Sequence, residues 1–129
     1  MNYKTLTIVK CLVCLGFGPV LLFFPGQLLA LLGVPFGLGA AIFAREYGSA
    51  LMGNAFLTWF ARNAGHSSTR TAIIIYLFVY DAIALVAITI MQLQGAMNLL
   101  GWGIVAVYLF FTIGYGHLLV KQRRSVESS

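Results

Sequence analysis

Residues 72–91 read AIIIYLFVYDAIALVAITIM, an apolar run broken by the single charge of Asp81. An α-helix rises about 1.5 Å per residue and a bilayer's hydrocarbon core is about 30 Å thick, so about 20 mostly apolar residues make one crossing. Barrel strands would alternate polar and apolar side chains, and this run does not. A spanning segment must also satisfy its own backbone hydrogen bonds, which a helix does. Three more stretches have the same character: Leu6–Phe24, Leu38–Phe60 and Leu99–Val120. The expected fold is therefore all-α, a bundle of four transmembrane helices running up-down-up-down, with residues 1–129 forming one integral membrane domain.

Composition agrees with that reading. With 60% hydrophobic and 9% charged residues in 129, the chain carries more apolar surface than a small soluble domain can bury. The net charge of +5 does not imply nucleic acid as a partner. Lys4, Arg62, Arg70, Lys121, Arg123 and Arg124 bracket the apolar runs and do not form one contiguous basic face. The expected partners are membrane lipids, together with another membrane protein or a second copy of the chain. A cleaved leader is not expected, because Lys10 interrupts the first apolar run and no small-x-small site follows it.

The connections set topology and orientation. Between the first two spans, Pro25-Gly26-Gln27-Leu28-Leu29-Ala30-Leu31-Leu32-Gly33-Val34-Pro35 is apolar but too short to cross, and suggests a short helix in the interface or folded back on the bundle. Residues 61–70 form the most polar connection, whereas 92–98 is short and uncharged. Short connections make successive helices antiparallel neighbours. Lys4, Lys10, Arg62, Arg70, Lys121, Arg123 and Arg124 all fall to one side in this topology, which puts both chain ends in the cytoplasm.

Ionisable residues inside the spans are the candidates for function. Arg45 and Glu46 lie in the second span and Asp81 in the third, and charges in hydrocarbon normally face the protein interior and pair. Counting residues from the outer ends places Arg45 about 10 Å deep and Asp81 about 15 Å deep, within reach of an extended Arg side chain. An interhelical Arg45–Asp81 pair is expected, Arg being suited to bidentate carboxylate binding. Ala41, Ser49 and Gly53 share the Arg45 stripe, and Ala40, Ala44 and Gly48 form a second small stripe beside it. Small residues let helices approach closely, so the second span is expected to be central. Glu46 leaves the trio with an excess negative charge, suited to a proton relay or a cationic ligand. Asn54, Tyr47, Tyr76, Tyr80 and Tyr108 could extend a hydrogen-bonded interior. Near span ends, tyrosines, Trp59 and Trp102 are also natural interface anchors. The candidate ligand-binding or intramembrane polar cluster is Arg45, Glu46, Asn54, Tyr80 and Asp81.

Cys11 and Cys14 form a CxxC, a pattern shared with quinone-linked thiol oxidoreductases of four-helix type. Those enzymes use further cysteines and place the reactive pair on the oxidising side, whereas this pair lies toward the cytoplasm among apolar neighbours that dull thiol chemistry. His66 and His117 have no partner at metal-ligand spacing. No metal, cofactor or catalytic residue is expected.

Ala44-Arg45-Glu46-Tyr47-Gly48-Ser49-Ala50-Leu51-Met52-Gly53-Asn54, then Trp59-Phe60-Ala61-Arg62-Asn63, Val79-Tyr80-Asp81 and Met97-Asn98-Leu99-Leu100-Gly101-Trp102, carry a resemblance. Together they resemble small uncharacterised bacterial four-helix membrane proteins, loosely DoxX-like in pattern. The resemblance implies a bacterial inner-membrane location and a four-span fold, and it transfers no catalytic residues. Glu46 departs from that pattern, in which an uncharged residue is expected. The leading expectation is a non-enzymatic structural or interaction protein of the bilayer. The runner-up is a small-molecule binder or transporter with a polar intramembrane cavity, and a quinone-linked thiol redox enzyme is a distant third.

Overall fold

The computed structural model describes residues 2–128, with side chains through Gln122. The described residues form five helices and no strand: α1 (Tyr3–Phe23), α2 (Pro25–Leu31), α3 (Leu38–Ala61), α4 (Ser68–Leu93) and α5 (Gly101–Ser128). The four long helices match the four apolar stretches, with ends set by capping rather than by hydropathy. Thus α4 starts ahead of its apolar run because Ser67 Oγ accepts from the Arg70 N–H at 3.1 Å, satisfying one of the donors that every helix start leaves over. It stops at Gly95, whose φ of +81° allows Gly95 N–H to reach Gln92 O and Ala96 N–H to reach Met91 O, each at 3.0 Å.

Helices α1, α4 and α5 as far as Gln122 are long and apolar enough to cross a membrane. At 24 residues α3 is long enough too, but Arg45, Glu46 and Asn54 dilute its hydropathy. Large apolar side chains stand exposed on all four long helices, among them Leu12, Phe43, Phe60, Ile83 and Ile113, as suits a chain whose surroundings are lipid.

The closest backbone approaches are α1 with α3 and α4 with α5. Contacts along the first pair run in opposite order. Tyr3 Oη donates to Ala61 O at 2.9 Å, Cys11 Sγ to Ala55 O at 3.4 Å, and Arg45 Nε to Leu22 O at 3.2 Å. The two helices are therefore antiparallel over their whole length. The tightest point is Gly18 against Gly48: a Cβ on Gly48 would lie 2.9 Å from Gly18 O and 3.0 Å from Leu22 N, both backbone atoms. The seam thus follows the Gly48 stripe. This corrects the expectation that the Ala41, Ser49 and Gly53 stripe would form it, since only Ala41 of the three is buried. Gly53 has open space where a Cβ would stand.

The central helix is α1, not α3 as expected. Of its most apolar stretch 39% is buried, against 17% for α4 and for α5. One core cluster joins Tyr3 and Leu6 of α1 to Ile74 and Leu77 of α4 and to Phe111, Tyr115 and Leu118 of α5. A second joins Cys11, Cys14 and Leu21 to Leu51 and Ala55 of α3. Only α1 contributes to both, so it is enclosed on more sides than its neighbours.

The two ends of the molecule differ. At one, α2 leans on α1 and α3, and the α4–α5 connection ties onto it through Asn98, whose Nδ2 donates to Leu31 O and whose N–H donates to Leu32 O, both at 2.8 Å. At the other, Arg70 of α4 stacks 4.1 Å over the Tyr3 ring of α1, and Gln122 of α5 bonds to Thr71. That second end gathers Lys4, Arg62, Arg70 and Lys121. Residues 24–37 and 94–100, which make the connections at the first end, carry no charge.

Candidate functional site

The interior polar centre is an ion pair that joins α1 to α4. Lys10 Nζ donates to Asp81 Oδ1 at 2.5 Å, with the two side chains 4% and 0% exposed. The ammonium also sits over two aromatic faces, 4.6 Å from the Phe111 ring centroid and 5.1 Å from that of Tyr80. Ring faces carry negative quadrupole charge, so they stabilise a cation that has lost its water. Removing either charge from water costs several kcal/mol, and only a close, hydrogen-bonded partner offsets that cost.

This arrangement corrects the expected Arg45–Asp81 pair. Arg45 is exposed on α3, and its Nε reaches Leu22 O in the last turn of α1. The last carbonyls of a helix lack intrahelical donors and carry partial negative charge, so a guanidinium there caps α1. Residue counting puts Arg45 and Asp81 at similar depth, but Arg45 meets α1 at Leu22 and Asp81 meets it at Lys10, positions about 18 Å apart along that helix. Glu46 is also exposed on α3, and the Lys10–Asp81 contact is the only ion pair among the described residues.

The remaining members of the sequence-derived cluster divide between two places. Tyr80 lies beside the ion pair, with Tyr47 and Cys14 nearby. Asn54 is buried on α3, where its Oδ1 accepts from Tyr76 Oη of α4 at 2.9 Å. The structure therefore brings Asp81 and Tyr80 together around Lys10, sets Asn54 in a separate α3–α4 link, and leaves Arg45 and Glu46 outside. Asp81 Oδ2, Tyr80 Oη and Asn54 Nδ2 are buried polar atoms without a hydrogen-bond partner.

Lys10 is the residue that sequence reasoning missed, having assigned it to the charged flank. A signal was present: Tyr3, Leu6, Thr7, Lys10, Cys14, Gly18 and Leu21, all buried, recur at three- and four-residue spacing and mark one face of α1. A polar, small-residue face on an otherwise apolar helix is its protein-facing side.

Cys11 and Cys14 are free thiols, both buried. They lie in the α1–α3 seam, with Cys11 bonded to Ala55 O. No group of three or more potential metal ligands occurs among the described residues. Two clefts open near the basic end, one of about 270 Å³ beside Tyr3 and Arg70, the other of about 370 Å³ beside His117 and Lys121. Neither includes the Lys10–Asp81 pair. No protein-family profile, curated protein or solved structure matches the chain.

Proposed function

We infer that the chain is a four-pass protein of a bacterial inner membrane, acting as a structural or interaction component with the Lys10–Asp81 pair as its internal clamp. The antiparallel course of α3 along α1 supports the fourth pass, because a helix that retraces a spanning helix from end to end crosses what that helix crosses. The helices then form an up-down-up-down bundle, with α2 at the outer interface. Lys4, Arg62, Arg70 and Lys121 collect at one end, together with the sequence positions of Arg123 and Arg124, whose side chains lie outside the described residues. The positive-inside rule assigns that end, and both termini, to the cytoplasm. Lys10 no longer counts toward this bias, and the remaining asymmetry supports the same orientation.

The observation that carries the clamp reading is the seating of the pair: Lys10 packed against the Phe111 and Tyr80 faces, with Asp81 fully buried. A second reading, a small-molecule binder or transporter, draws support from the unpartnered Asp81 Oδ2 and Tyr80 Oη. The two separate when the pair is replaced by apolar residues, as in Lys10→Met with Asp81→Leu. A clamp tolerates the exchange, because a well-packed apolar pair can substitute for a buried ion pair. The double variant is then expected to fold and to co-purify from mild detergent with the same proteins and lipids, identified by mass spectrometry, as the wild type. A folded double variant that loses a co-purifying small molecule would favour the binder.

A further inference from the structure

At the basic end, Tyr3, Lys4, Arg62, Asn63 and Arg70 are among the residues lining the cleft of about 270 Å³. The two guanidinium groups are held by their surroundings. That of Arg62 lies 3.7 Å over the Trp59 ring and bonds to Trp59 O. That of Arg70 lies 4.1 Å over the Tyr3 ring and donates from Nη1 to Ala64 O at 3.2 Å. Arg70 Nε is buried and has no partner. Among the described residues no carboxylate lines the cleft, so its cations are uncompensated by side chains. Helices α1 and α4 begin here while α3 ends here, so their dipole ends offset one another and the Lys and Arg side chains set the potential.

Such a cleft attracts an anion, and the forked donors of arginine match phosphate. Its surroundings indicate what carries the phosphate. Trp59 and Phe60 stand exposed at the end of α3 next to Arg62, so the cleft borders the apolar surface. We propose that this cleft binds the phosphate of an anionic phospholipid, with Arg62 and Arg70 as forked donors and Lys4 as a point charge. The lipid's acyl chains run along the exposed apolar surface beside Trp59. This inference rests on the membrane reading above, in that it takes the end of α3 to lie at the bilayer surface.

The test uses full-length protein extracted from membranes in a neutral detergent, titrated with phosphatidylglycerol or phosphatidylcholine and followed by native mass spectrometry. The wild type is expected to retain phosphatidylglycerol about tenfold more tightly than phosphatidylcholine. Lys4→Gln and Arg62→Gln should each weaken phosphatidylglycerol binding about fivefold, while Lys121→Gln, at the same end but lining the other cleft, should change it less than about twofold. Arg70 also anchors the α3–α4 connection, so Arg70→Lys is the informative variant there. It keeps the charge, loses the fork, and should weaken binding while the protein still melts cooperatively. Equal retention of the two lipids, or an equal loss in Lys121→Gln and Arg62→Gln, would overturn the proposal. Complete displacement of the lipid by millimolar inorganic phosphate would make the occupant a free anion and overturn the lipid assignment. Binding in detergent does not depend on which leaflet the cleft faces, so an error in topology shows separately in reporter fusions.

Discussion

Lys10 and Asp81 stand 71 positions apart in the chain, yet the ammonium and carboxylate meet at 2.5 Å inside the protein. The contact joins the central helix α1 to α4, whose closest backbone neighbour is α5 rather than α1. A long side chain bridges what the backbones do not, and the pair ties the α1–α3 hairpin to the α4–α5 hairpin.

Breaking that pair should be costly and non-additive. Lys10→Met alone or Asp81→Leu alone leaves a buried charge without its partner, a loss of about 3–5 kcal/mol. Combining Lys10→Met with Asp81→Leu should recover much of that loss. Unfolding titrations in mixed micelles measure the coupling, and strictly additive losses would mean that the two groups do not interact.

Arg45 should behave differently. Because it caps the end of α1 from an exposed position, Arg45→Gln is expected to cost less than about 1 kcal/mol. It should also show no coupling to Asp81→Asn in a double-mutant cycle. A coupling comparable to that of Lys10 would require the two side chains to meet.

The glycines of α3 offer a matched comparison. Gly48→Ala pushes a methyl group against the α1 backbone at Gly18 and Leu22, and overpacking of this kind costs about 1–3 kcal/mol. Gly53→Ala adds its methyl to open space on the same helix, where the higher helix propensity of alanine should leave stability unchanged or raise it by up to about 1 kcal/mol. Thermal unfolding of the two variants in one detergent provides the check, and the opposite ranking would place the seam on the Gly53 stripe.

The thiols should be inert in the folded protein. Cys11 and Cys14 are buried in the α1–α3 seam, so a maleimide reagent is expected to label them only after denaturation. Replacing both with alanine should leave the fold intact. Rapid labelling of the native protein, or loss of a function with retained fold, would reopen a redox role.

Topology can be read with reporter fusions. Fusions after Ser68 and after Val120 should report the cytoplasm, and one after Gln94 the opposite side, because the Lys and Arg residues gather at the end holding residues 61–70 and the end of α5. A periplasmic signal at Ser68 would invert or break the four-pass arrangement.

Hydropathy and helix length are properties of a local stretch of chain, which is why the sequence alone determined the helical class, the approximate extent of α1, α3, α4 and α5, and the gathering of charge at one end. It also marked Asp81 as an interior group, since a lone carboxylate in an apolar run has to find a partner. The identity of that partner was beyond it: residue counting yields only an approximate position along a helix axis, and neither how the helices slide against one another, nor the direction in which a side chain points, nor which helices become neighbours. Only tertiary packing decided that Lys10 turns inward while Arg45 turns to the end of α1, that Gly48 and not Gly53 meets α1, and that α1 occupies the centre. Each of these depends on how whole helices rotate against one another until small residues face backbones and opposite charges are enclosed together, an outcome of all the contacts at once and not of any one segment.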